Sequence, residues 1–165
     1  MSARETTGVR IGRASPALAR AQAAWIVGIE PWLGLGYQAR PLGRWLARGA
    51  RARGVWVARA ARAGTVEGII VVEMPFLLGG FIALLAVRPE AAGRGLGRAL
   101  VAEIRRQVFS VAGKRWLYVS ADSGNRSALA FYRKLGFSRV GRLPDLIRAG
   151  NTEVLLRQGP ENIRK

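Results

Sequence analysis

The residue types that could do chemistry by their spacing gather at Val87–Leu100, where the sequence reads VRPEAAGRGLGRAL. Gly93, Gly95 and Gly97 take alternate positions between an apolar run and the start of an amphipathic one, with Arg94 and Arg98 beside them. A strand that stops, a glycine-rich turn and a helix that begins would aim several free backbone N–H groups and the positive end of a helix dipole at one point. That arrangement suits a phosphate. The same glycines also suit a plain turn, so the assignment depends on the elements around them.

Other chemistry is excluded by composition. The 165 residues include no cysteine and no histidine, which removes disulfides, thiolate or imidazole metal sites, a cysteine nucleophile and a Ser-His pair. We expect no metal. Proton transfer is left to carboxylates or water. Glu73 is the single charge in the apolar run from Ile69 to Val87 and is the first candidate; it would either sit in a cleft or face solvent from a strand edge. Glu30 and Asp122 rank behind it.

Positioning these residues requires one domain, expected over 10–165, preceded by a flexible tail over 1–9. Val9–Ala14 alternates like a short strand. Ser15-Pro16 starts a helix that should reach about Ile29, Glu30-Pro31-Trp32 breaks it, and a second helix covers about 41–53. Three strands follow: 55–60, the TVEGIIVVEMP stretch, and 81–87, which is apolar on both faces and so central. The Ile69–Val87 run is long enough for a membrane helix, but Pro75, Gly79-Gly80 and its β-branched start favour two strands, and no membrane association is expected. Leu96, Leu100, Ile104, Val108 and Val111 mark the inner face of a helix ending near Gly113. A strand over 116–121, a turn at 122–125, a helix over 126–135 closed by Gly136 and two strands, 137–142 and 152–157, complete the chain.

This order and two motifs resemble the GNAT superfamily of acetyl-CoA-dependent N-acetyltransferases. Val87–Leu100 is similar to the family's pyrophosphate loop, and Asn125–Phe137, NRSALAFYRKLGF, to its Asn, Ala, Tyr and Leu-Gly-Phe pattern. The resemblance implies an α/β (α+β) fold: a mixed, mostly antiparallel six- to seven-stranded sheet, splayed at a central parallel strand pair and flanked by about four helices. It implies acetyl-CoA as cosubstrate, with backbone groups of Leu85, Ala86 and Val87 along the pantetheine arm. The N–H groups of Gly93, Arg94, Gly95, Leu96, Gly97 and Arg98 would hold the pyrophosphate, and Asn125, Ala128 and Tyr132 would also contact the cofactor. Tyr132 would hydrogen-bond the departing sulfur, with Glu73 as proton acceptor. Glu30, Trp32 and Tyr37, in the loop between the first two helices, would line the acceptor side.

One position departs from the family's pattern. Where the loop usually carries Gln or Arg, this chain has Ala92, which removes a side-chain contact and leaves the amides; Arg88 or Arg94 would have to compensate. The net charge of +17, from 27 basic and 10 acidic residues, suits polyanions in general, but the arginines are scattered and nucleic acid is not the expected partner. The expected acceptor is a primary amine on a small molecule or protein N-terminus, attacked directly, in a cytoplasmic protein that the family's habit makes a candidate homodimer. The competing reading is an acyl-CoA-binding or nucleic-acid-associated regulatory domain of the same fold with little turnover.

Overall fold

The structure, a computed structural model, describes residues 4–6 (main chain), 9–60 and 64–160. They divide into two units, Met1–Val72 with Leu84–Ile104 and Glu73–Ala83 with Arg105–Lys165.

In the first unit, alternation at Val9–Arg13 makes strand β2, antiparallel to β3 (Val55–Ala60), which pairs in turn with β4 (Val66–Phe76). Val55, Val57, Ile69, Ile70 and Val71 are buried, as expected of β-branched residues on sheet faces covered on both sides. A further strand, β1 (Arg4–Thr6), pairs with β2. This corrects the expected tail for residues 4–6: main-chain pairing onto an edge needs no apolar side chain, so composition does not reveal it. Residues 1–3 and 7–8 lie outside the described residues.

The expected first helix is two pieces, α1 (Pro16–Ala21) and α2 (Ala23–Ile26). Ser15 Oγ caps α1 by accepting from Leu18 N at 3.2 Å, and at Gln22 the main-chain N–H turns to Ala19 O, a tighter turn that parts the helices. Helix α3 (Ala39–Arg51) starts two residues before the expected Pro41, which is tolerated in a first turn where N–H groups lack partners anyway. Its Leu42 and Leu46 are buried.

Helix α4 (Leu96–Phe109) begins in the first unit and ends in the second. Leu96, Leu100, Ile104 and Val108 are buried as their spacing requires, whereas Val111 is 43% exposed because the helix stops at Phe109.

In the second unit, the end of β4 turns through Leu77 and Leu78, both at positive φ, into β5 (Gly79–Val87). Two central residues at positive φ match the twist of a tight hairpin. The apolar run Ile69–Val87 is therefore two strands, and no helix among the described residues is long and apolar enough to cross a membrane. β5 pairs in parallel with β6 (Trp116–Asp122) from Gly79↔Trp116 to Ile82↔Val119. A Cβ at residue 79 would collide with the Trp116 carbonyl, so this pairing requires glycine. Helix α5 (Arg126–Lys134) leads to β7 (Ser138–Pro144), and β8 (Thr152–Gln158) lies between β6 and β7, antiparallel to both.

The pairing order is β1-β2-β3-β4-β5-β6-β8-β7. It is the expected mixed, mostly antiparallel sheet with one parallel pair, with β1 as an additional strand.

Candidate functional site

In the first unit the glycine-rich loop is built on the end of β5. Arg88 N donates to Glu67 O at 2.8 Å and Arg88 Nε to Val66 O at 2.8 Å, while its guanidinium lies 4.8 Å from the Trp25 ring centroid. These contacts fix where the strand stops. A single 3-10 turn, Pro89–Ala91, follows, and Ala92 is extended and exposed. Gly93 and Gly95 have φ of +77° and +79°, with open space where a Cβ would stand. They are thus needed for backbone handedness rather than for room.

Helix α4 then starts at Leu96, its first intrahelical bond running from Ala99 N to Gly95 O at 3.0 Å. The amides of Leu96, Gly97 and Arg98 precede the helical ladder and fall within the expected donor stretch from Gly93 to Arg98. Arg94 is not a free cation: its Nη1 meets Glu67 Oε1 at 2.7 Å. Glu67 holds this loop arginine from β4 while its own Oε2 is buried without a partner among the described residues. Of the two residues expected to compensate for Ala92, Arg88 is spent on Val66 and Trp25, and Arg94 on Glu67. Arg98 is exposed in the first turn of α4.

The candidate acceptor-side residues fall in a string of turns after α2. Glu30 Oε2 accepts from Gly34 N at 3.2 Å, so its carboxylate closes a turn. Trp32 is half-buried and Tyr37 exposed, joined by Tyr37 N donating to Trp32 O at 3.0 Å.

In the second unit, Asn125 caps α5: its Oδ1 accepts from Ala128 N at 3.1 Å and from Ser127 Oγ at 3.0 Å. Asp122 pins the turn before it, accepting from Gly124 N at 2.7 Å and Asn151 Nδ2 at 3.0 Å. Both carboxylate oxygens are thus engaged in holding the turn and the neighbouring Asn151. Seven residues after Asn125, two helical turns on, Tyr132 is buried between Phe131 and Phe137, edge-on to both at 5.1 Å and 5.4 Å between centroids. Burial pushes its phenol above the ordinary 10, which favours the neutral form. Glu73, on the last part of β4, is exposed.

A carboxylate overlooked in the sequence is Glu153. It is 8% exposed on β8 and registered directly opposite Asp122 of β6. Desolvation raises its pKa, a hydrogen bond with Ser120 lowers it, and the Asp122 charge raises it. At the start of a strand, TEVLLRQ gives no sign that the glutamate faces a like charge; only the cross-strand register shows it.

The model of the acetyltransferase (GNAT) family matches residues 21–137. An uncharacterized N-acetyltransferase of Methanocaldococcus jannaschii is 29% identical over 93 residues, covering 56% of this chain and 59% of that one. The chain spans between 18% and 59% of the lengths of five curated relatives. Among solved structures, Ard1 from Thermoplasma volcanium superposes with a TM-score of 0.75 at 21% identity, covering 93% of this chain and 98% of that one. A streptothricin acetyltransferase from Bacillus anthracis, solved in complex with acetyl coenzyme A, gives 0.59 at 16% identity over 65% of this chain and 62% of that one. At such identities the two structures speak for the fold. With its model matching well over half the sequence, and both motifs lying within or ending at the matched span, the chain belongs to the acetyltransferase (GNAT) family.

Proposed function

We propose that the protein is an acetyl-CoA-dependent N-acetyltransferase that moves the acetyl group to a primary amine in one direct step. The observation that carries this is the loop at 93–98, where two glycines at positive φ lead into the start of a helix within a family-matched segment. Its amides would hold the cofactor pyrophosphate. The fold neighbour solved with acetyl coenzyme A supports the choice of cofactor.

In the reaction the amine nitrogen forms a bond to the thioester carbonyl carbon, the carbon–sulfur bond breaks, and the sulfur departs as thiolate. Tyr132 would donate a hydrogen bond to that sulfur. An ordinary phenol giving its proton to a thiolate whose conjugate thiol has a pKa of about 8.5 is already uphill by about 2 kcal/mol, and burial of Tyr132 steepens this. Its contribution is therefore hydrogen-bond stabilisation of negative sulfur rather than early proton transfer. Glu73, exposed to the solvent from which an amine arrives, would accept the amine proton directly or through water.

Thiol release from acetyl-CoA across a panel of polyamines, amino acids, aminoglycosides and peptide N-termini tests the proposal. Turnover with at least one amine class supports it. Absence of turnover together with steeply salt-dependent nucleic-acid binding would instead favour a regulatory domain of the same fold.

A further inference from the structure

A cavity of about 710 Å³ opens in the second unit beside α5, β7 and β8. It does not use the stripe of α5 that carries Asn125, Ala128 and Tyr132. Arg126, Leu129 and Arg133 line it, and at about 100° per residue their stripe lies a little over a quarter of a turn round the helix from the other. Arg139 enters from the sheet: its register opposite Leu156 places both side chains on one face. The floor is apolar, since Leu129, Phe137 and Leu156 are all buried.

Around that floor stand three exposed arginines, 126, 133 and 139, and none has a side-chain ion pair or hydrogen bond among the described residues. Ser138 adds a hydroxyl at the rim. Unneutralised guanidiniums converging on one cavity attract an oxyanion, and their fork geometry suits phosphate or carboxylate. An apolar floor favours a ligand with an apolar body. A second copy of this chain is a poor occupant, because with 27 basic against 10 acidic residues it offers little negative charge to three arginines. The volume is that of a small-molecule pocket, typically about 300–1,000 Å³.

We propose that this cavity binds a small organic anion, a phosphate or carboxylate group carried on an apolar body, at a site separate from the Asn125–Tyr132 stripe. The oxyanion pairs with Arg133 and Arg139, with Arg126 adding charge, and the body lies on Leu129, Phe137 and Leu156.

Calorimetric titration of the full chain with naphthyl phosphate, naphthoate and inorganic phosphate tests this. Saturable binding of naphthyl phosphate or naphthoate is expected, at least about tenfold tighter than inorganic phosphate, and the tighter of the two names the oxyanion. Arg133→Ala with Arg139→Ala should weaken it by about tenfold or more, and saturating acetyl-CoA should leave it unchanged. If the double variant does not fold, Arg139→Ala alone, on the exposed edge strand, carries the test with a smaller loss. Binding indifferent to these substitutions, binding displaced by acetyl-CoA, or no naphthyl ligand bound while single-stranded DNA binding depends on the same arginines would each overturn the proposal.

Discussion

At the scale of single residues, partners decide which charged side chains are available to a ligand. Arg94 already holds Glu67 and Arg88 already holds Val66 and Trp25, so Arg98 should carry the charge that Ala92 lacks. Arg98→Ala is expected to raise the acetyl-CoA KM roughly tenfold, with a shallower salt dependence, and Arg94→Ala by no more than about threefold. Equal effects would show that the Glu67 pair opens on binding. For proton transfer, Glu73→Gln should lower kcat by about 100-fold with little change in acetyl-CoA KM; a loss seen with Glu153→Gln instead would move that role to the buried carboxylate.

Glu153 also has a consequence for stability. Its pKa is raised in the folded state, mainly by burial, so folding favours the protonated acid and the chain loses stability as pH rises from the ordinary glutamate value through the raised one. Glu153→Gln should therefore raise Tm at pH 7, and the gain should vanish below about pH 4. Melting curves from pH 3 to pH 8 would read this directly; a gain independent of pH would point to packing rather than charge.

At the scale of elements, Gly79 shows how one position holds two strands together. Gly79→Ala would drive a Cβ into the Trp116 carbonyl and should cost about 1–3 kcal/mol, seen as a lower denaturant midpoint with unchanged slope. The strands, α4 and α5 were legible because their apolar spacing is regular: Leu96, Leu100, Ile104 and Val108 are buried as that spacing requires. The division of α1 from α2 was not, because Gln22 sits in a run of alanines with no glycine or proline to announce it. Strand β1 escaped notice for the opposite reason, being polar residues recruited by an edge. In the candidate site, Gly93, Gly95 and Tyr132 could be picked out by type and motif. The pairs Glu67–Arg94 and Asp122–Glu153 could not, since each joins residues far apart in sequence through strand register.

At the scale of the whole molecule, the net charge of +17 is a long-range field over any anionic ligand, and it should speed capture of acetyl-CoA more than it tightens the bound state. Raising salt should then lower kcat/KM for acetyl-CoA while leaving kcat nearly constant. The matched family and the pairing order define the scaffold, whereas the proposed chemistry would rest on a buried phenol, Tyr132, and on the backbone amides of the loop at 93–98.

The most direct test of that chemistry is steady-state thiol release by the wild-type chain and Tyr132→Phe with the best amine of the panel. The account predicts a kcat at least about tenfold lower in the variant, with acetyl-CoA KM within about twofold because the loop at 93–98 is untouched. Equal kcat in the two proteins would contradict it.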